Sequence, residues 1–292
     1  MRRDARVAGW KVQPGSGDAD ALGACLASLV VDGVDGVVIG VGPDVDPGLA
    51  RLAALAAGVP ADVPIQVCAG ADAGHAALQT AVLGVLSGYH RRVLVGGLGE
   101  VEAAWPPAGR TPDLDWRLSH LDALEQVGNR LSQHPVDAAE WLARHGENPA
   151  GDLLEAGPRS PAAVALRLSC DEDGPRVASL AGGGADPATS GRAVERAASR
   201  ALHHVQLGLE EIDLAVICQD LPGAQAATAT ALGLPFSRVL EPPTVVPSVR
   251  ALAAVPQLLQ GLGAVDGRHA FLLSGGPDGL GRATLFDMAR FA

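Results

Sequence analysis

The feature that most constrains this chain is a pattern that occurs twice. Asp35-Gly-Val-Val-Ile39 returns as Asp213-Leu-Ala-Val-Ile217. Each run leads into an Ala-rich stretch of helical length stopped by Gly-x-Pro, first at Gly58-Val59-Pro60 and later at Gly233-Leu234-Pro235. A glycine that can turn the chain out of a helix, followed by a proline that cannot continue one, is a helix C-terminus. Farther on, Phe271-Leu-Leu-Ser-Gly-Gly276 echoes Val93-Leu-Val-Gly-Gly97. Short β-branched runs alternating with helical stretches specify an α/β fold. Two such units in the same order predict two similar halves related by a pseudo-twofold axis.

The first half reads as a helix over 18–31, a strand at 37–40, a helix over 49–58 and a strand at 65–67. Leu78, Val82, Val85 and Leu86 recur at helical spacing and end at Gly88, which predicts a helix over 72–87. Val93-Leu-Val95 is the next strand. An irregular stretch, about 103–161, then interrupts the repeat. It contains Trp105-Pro-Pro107 and predicted helices over 114–131 and 135–145. Residues 162–168 and 176–180 read as a hairpin around Asp171-Glu-Asp-Gly174, and Gly182-Gly-Gly184 as a linker. That reading divides the chain into 1–184, carrying the insertion, and 185–292.

Composition narrows the function. The chain has 22 basic and 33 acidic residues, for a net charge of −11, which disfavours nucleic acid or an anionic membrane as partner. Lys11, followed by Val12, is the sole lysine, so there is no P-loop GK[ST] motif and a Schiff-base enzyme is not expected. No apolar run reaches the ~20 residues of a membrane span, and Met1-Arg-Arg-Asp-Ala-Arg6 leads into no apolar signal core. A cytoplasmic protein is expected. Cys25, Cys68, Cys170 and Cys218 lie far apart with no CxxC, so neither a metal site nor a disulfide framework is indicated. No cofactor is expected. Asp113, Asp115, Asp137 and Glu140 read as helix-start and surface carboxylates. His90 reads as a solvated helix terminus, and His203-His204 as imidazoles complementing the end of a helix dipole.

The segment Ile65-Gln-Val-Cys-Ala-Gly-Ala-Asp-Ala-Gly-His75, continuing through Ala77-Leu78, Ala81 and Ser87-Gly88 to Val93-Leu-Val-Gly-Gly-Leu98, resembles the nucleophile region of the thiolase superfamily. It is most similar to the ketoacyl-ACP synthase III branch. In the second half, Glu211-Ile-Asp213, the run 214–219, Ala231-Leu-Gly-Leu-Pro235, Ala253-Ala-Val-Pro-Gln-Leu-Leu259 and Gly276-Pro-Asp-Gly-Leu-Gly281 match the same family in order. The resemblance covers about residues 18–102 and 160–290. It implies a layered αβαβα fold and acyl chemistry through a cysteine, a histidine and an asparagine.

Those three residues are replaced. Counting back from Gly88 puts Ala71 at the nucleophile, in a register held by Ala77, Leu78 and Ala81. Cys218 falls at the histidine, followed by the matching Gln219. Val249 falls at the asparagine, with Ser248-Val249 in place of Gly-Asn. Cys68-Ala-Gly70 spells a familiar active-site triplet, but using Cys68 as nucleophile requires three extra residues in the first helical turn. The resemblance therefore implies a non-catalytic subunit, similar to the inactive partners in heterodimeric ketosynthases and alkylquinolone synthases of polyketide, fatty-acyl or other specialised metabolism. Its partner would be a catalytically active homologue or a second copy of itself, with acyl carrier protein or acyl-CoA as further partners. Two alternatives remain open: an acyltransferase or ketosynthase working through Cys68, and a homodimeric acyl-binding protein without chemistry.

Overall fold

The computed structural model describes residues 3–43, 45–70, 72–99, 159–184, 190–219, 222–275 and 280–288. The elements run β1 (Arg6–Pro14), α1 (Ala19–Ala27), β2 (Gly36–Val41), α2 (Pro47–Ala56), β3 (Ile65–Ala69), α3 (Ala73–Leu86), β4 (Arg92–Gly99) and β5 (Ala162–Ser169). They continue with β6 (Arg176–Gly184), α4 (Ser190–Val205), β7 (Leu214–Cys218), α5 (Pro222–Leu232), β8 (Val239–Leu240), α6 (Pro247–Ala264), β9 (His269–Gly275) and β10 (Leu280–Asp287). The predicted helices over 114–131 and 135–145, and Asp113, Asp115, Asp137 and Glu140, lie outside the described residues.

The strand order is β3-β2-β4-β5-β1-β6-β10-β9-β7-β8. Read outward from the middle, the second five repeat the first five. The two sets meet where β1 touches β6 at the pair Arg6–Arg176. The same capping chemistry is used in both halves. Asp35, just ahead of β2, accepts the backbone N–H of Arg91 at 2.8 Å and of Arg92 at 3.1 Å, where β4 starts. Asp213, just ahead of β7, accepts those of Arg268 at 2.7 Å and His269 at 2.9 Å, where β9 starts. The helix-ending glycines agree too, with φ of 81° at Gly58 and 71° at Gly233, a region that glycine enters without steric cost.

One expectation fails at the middle of the chain. Residues 162–168 and 176–180 do not form a hairpin: β5 pairs with β4 and β1, and β1 lies between β5 and β6. A short connection between two antiparallel runs reads locally as a hairpin, but β1, from the far end of the sequence, fills the position between them. Gly182-Gly-Gly184 is likewise strand rather than linker, paired with Leu280–Arg282 in β10. The strand repeat turns over between β5 and β6, at 170–175.

Three apolar clusters define five layers. α1 and α2 cover the outer face of the first sheet, and α4 and α5 that of the second. The largest cluster lies between the sheets around α3 and α6. Both central helices are apolar over most of their circumference, as helices packed between two sheets are, although α3 leaves Leu83 and Leu86 exposed near its C-terminus. Close approaches are made by glycine. The paired residues Gly183 and Gly281 lie under α4, where an added Cβ would fall 2.3 Å from the Ala193 carbonyl oxygen and carbon respectively. On its exposed side α4 is held by Arg200 and Arg196, which donate to the carbonyls of Gly182 (2.8 Å) and Gly184 (2.9 Å).

Candidate functional site

The N-termini of α3 and α6 meet in the central layer. A Cβ on Gly74, in the first turn of α3, would lie 2.6 Å from the Ser248 carbonyl oxygen at the start of α6. Around this junction end β4, β7 and β9. The three replaced positions fall at this junction in the sequence: Ala71 ahead of α3, Cys218 at the end of β7 and Val249 in the first turn of α6.

The α3 side is polar. Asp72 caps α3 without a side-chain bond to its own helix. Its carboxylate instead crosses to the second half, accepting the Ser274 hydroxyl at 2.8 Å and pairing with Arg282 Nε at 3.1 Å. His75, fully buried, has Nδ1 2.5 Å from Ser274 Oγ and Nε2 2.8 Å from Thr284 Oγ1. Donor accounting sets the tautomer. Ser274 spends its proton on Asp72, so His75 must carry its own on Nδ1 and accept from Thr284 at Nε2. Burial, with Arg282 adding to it, lowers the His75 pKa from 6.5 to about 3. The imidazole is neutral at pH 7, and both its nitrogens are engaged. One turn on, Gln79 Nε2 donates to the carbonyls of Ala181 and Ala283, each at 3.1 Å, and Gln79 Oε1 accepts from Arg282 at 3.2 Å. This network ties α3 to β6, β9 and β10.

The α6 side is largely apolar. Val249 is fully buried, close enough to β4 that a Cβ on Gly97 would fall 3.1 Å from its Cγ1. Cys218, the last residue of β7, is buried opposite Ser274. Cys218 and Val249 share the central apolar cluster. The next residue, Gln219, accepts from Thr228 at 3.0 Å through its side chain and from Arg250 at 2.9 Å through its carbonyl. Ala71 lies outside the described residues. Cys68 sits on β3, half-buried, with its Sγ 3.9 Å from Thr80 Oγ1.

His90 is a correction. It is buried rather than solvated, in a slot where a Cβ on Gly36 or Gly84 would strike its ring, with Nδ1 3.5 Å from Asp35. Two glycines, far apart in sequence, make the slot. His203 and His204 are exposed in the last turn of α4. No group of three or more His, Cys, Asp or Glu among the described residues is arranged to hold a metal ion, and no described helix is long and apolar enough to cross a membrane.

Sequence reasoning missed Asp72, Gln79, Ser274, Arg282 and Thr284. The available signal was His75 and Gln79, two polar side chains one turn apart in a helix whose other residues are Ala, Leu, Val and Gly apart from Thr80. Two such residues on a buried face require partners on a neighbouring element.

No family model matches the sequence, and no curated protein matches it. Solved structures do match. The acetyl-CoA acetyltransferase of Bacillus anthracis is similar over 98% of this chain and 99% of that one, with 16% identity and a TM-score of 0.73. Human mitochondrial 3-ketoacyl-CoA thiolase covers the same shares at 16% identity and a TM-score of 0.70. The acetyl-CoA acetyltransferase of Syntrophomonas wolfei is 12% identical, over 98% of this chain and all of that one, with a TM-score of 0.72. Five layers, a strand order that repeats about its midpoint, and these alignments along nearly the whole chain lead to one conclusion: this protein has the thiolase fold.

Proposed function

We propose that this chain is a non-catalytic thiolase-fold subunit that pairs with an acyl-transferring or condensing chain of the same fold, in polyketide, fatty-acyl or other specialised metabolism. The observation that carries the reading is the surface around β3. This strand ends the sheet order, so among the described residues one side of its backbone has no strand neighbour. Val67 on β3 is 38% exposed, and beside it α3 exposes Leu83 (59%) and Leu86 (38%), followed by Tyr89 (72%). β3 and α3 carry no Asp, Glu, Lys or Arg. An apolar edge without charges is an aggregation hazard unless a partner covers it, and depletion of charge is the compositional mark of an interface core.

The site supports the non-catalytic part. Cys218 and Val249 are packed into the central core. Val249 cannot donate a hydrogen bond, and a His75 that titrates near pH 3 is no general base at neutrality. Loss of a single oxyanion donor costs about 10²–10³ in kcat. The isolated chain is therefore expected to show no acyl transfer or condensation above background in a thiol-release assay with acetyl-CoA and malonyl-CoA. Turnover that disappears in Cys68→Ala, or a stable acyl adduct on Cys68, would overturn this reading in favour of an enzyme working through Cys68.

The partner is tested by purification from the native host. Co-elution with a thiolase-fold chain that carries its own reactive cysteine is the expected result. The double variant Val67→Lys/Leu83→Lys should lose that association. Charges buried at an interface centre cost roughly 2–4 kcal/mol, about thirty-fold to a thousand-fold in Kd. A native chain that sediments as a monomer at micromolar concentration and co-elutes with nothing would defeat the proposal.

A further inference from the structure

Helix α4 gathers cationic side chains on its outer face. Arg196 and Arg200 are exposed one turn apart, and His203 and His204, also exposed, are the neighbours of Arg200 in the next turn. At 1.5 Å per residue the two arginine positions stand about 6 Å apart, and the face runs about 12 Å along the helix. Glu195 is the one acidic residue of α4. As the immediate neighbour of Arg196 in sequence it is turned about 100° away, so it does not face the stripe.

Other arginines of this chain meet carboxylates within the fold, as Arg92 meets Asp171 at 3.2 Å, Arg176 meets Asp287 at 2.6 Å and Arg282 meets Asp72 at 3.1 Å. Arg196 and Arg200 do not. Each donates one N–H to a glycine carbonyl of β6, Gly184 at 2.9 Å and Gly182 at 2.8 Å, and among the described residues neither reaches an acid. A carbonyl bond uses one of the five guanidinium donors and fixes where the planar group sits, but it leaves the charge uncompensated. Two anchored cations without a counter-ion are an exception in a chain of 33 acidic and 22 basic residues. The face is also separate from the surface around β3, because α4 covers the outer side of the second sheet and β3 ends the first.

We propose that the outer face of α4 docks an acidic helix of a partner protein, whose carboxylates, one turn apart, meet Arg196 and Arg200. Charge complementarity selects this occupant. A Debye length of about 8 Å at physiological salt lets a short acidic segment feel the stripe alone. A nucleic acid or an anionic membrane spreads its charge over a wide area and meets the net charge of −11 as well. Guanidinium groups pair with carboxylates in a planar, two-bond geometry, and a 6 Å repeat is about one helical turn on either side of the contact. The inference does not depend on the acyl chemistry or on the pairing through β3.

The probe is a synthetic alanine-based helical peptide with Glu at every fourth position, compared with the same peptide carrying Gln there. In fluorescence anisotropy the native chain should bind the Glu peptide and not the Gln peptide. Raising salt from about 50 to about 300 mM should weaken that binding several-fold, because the Debye length falls by more than half. Arg196→Gln/Arg200→Gln keeps an N–H donor for each glycine carbonyl and removes both charges, so it should bind about tenfold more weakly. Arg51→Glu, at an exposed position on α2, changes the net charge by the same amount and should leave binding within about twofold. Arg196→Lys/Arg200→Lys keeps both charges and should retain most of the affinity even if the Gln pair folds poorly. Equal binding of the two peptides, equal losses in Arg51→Glu and the Gln pair, or full loss in a folded Lys pair would overturn the proposal. Tighter binding to phosphatidylcholine vesicles containing phosphatidylserine, lost in the Gln pair, would assign the face to a membrane and overturn it as well. Self-association that the Gln pair abolishes would assign it to a second copy, with the same consequence. None of these results touches the pairing through β3, which is read by co-elution.

Discussion

His75→Gln should be less stable than the native chain at pH 7 and less sensitive to acid below it. The substitution removes one of two hydrogen bonds in a fully buried network and leaves either Ser274 or Thr284 short of a partner. The expected cost is about 2–4 kcal/mol. The acid response follows from proton linkage. The unfolded chain takes up a proton on His75 near pH 6.5, whereas the folded chain does so only near pH 3. Between those values the unfolded state binds more protons, so the stability that His75 contributes is complete above pH 6.5 and is lost as pH falls toward 3. The slope is about 1.4 kcal/mol per pH unit for one such group. Urea melts between pH 6.5 and 5 should therefore show the native protein losing roughly 2 kcal/mol more than His75→Gln over that interval. Carboxylates titrate mainly below this window and are common to both proteins, so the difference isolates His75. Parallel pH profiles would show that His75 takes up its proton in the folded chain at an ordinary pH, and would contradict the buried network.

Gly281→Val should prevent stable folding, and Gly183→Val should do nearly the same. The two glycines face each other across β6 and β10, directly under Ala193 of α4. A Cβ at either would lie 2.3 Å from that backbone, and a helix backbone cannot turn aside as a flexible side-chain end can. Accommodation requires lifting α4 from the sheet, which separates Val194, Ala197, Ala198 and Ala201 from the outer core. Overpacking at a well-packed position costs about 1–3 kcal/mol and more where backbone must move, so the combined effect should exceed ~4 kcal/mol. Thermal melts and soluble yield read it directly. Gly263, with nothing within 4 Å of an added Cβ, is the control: Gly263→Ala lies inside helix α6 and should be neutral or stabilising by up to ~1 kcal/mol. If Gly281→Val melted like that control, the close contact under α4 would be disproved.

Local chemistry was legible in the sequence because its physical causes are local. The strands at Val37 and Val93, the helical spacing through Leu78 and Val85, and the Gly-x-Pro stops at Gly58 and Gly233 each depend on a few neighbouring residues. The recurrence of Asp35-Gly-Val-Val-Ile39 at Asp213 revealed the duplication, since equal patterns in equal order build equal halves. Cys218 ends a buried strand as its register requires, whereas Val249, which the same register set at a loop position, stands in the first turn of α6. What depends on which strand lies beside which was settled only by tertiary structure. β1 enters between β5 and β6, so two runs that read as a hairpin never pair, and a glycine triplet that read as a linker became the strand over which α4 crosses. The His75 network joins residues about two hundred positions apart. Its partners become predictable only when both central helices are in place, because a polar side chain in an apolar helix states a need for hydrogen bonds without naming the element that supplies them. The slot that buries His90 and the close approach of Gly183 and Gly281 to α4 have the same origin. Each is made by an absent side chain on a distant strand or helix, and an absence exerts its effect only once the fold has closed around it.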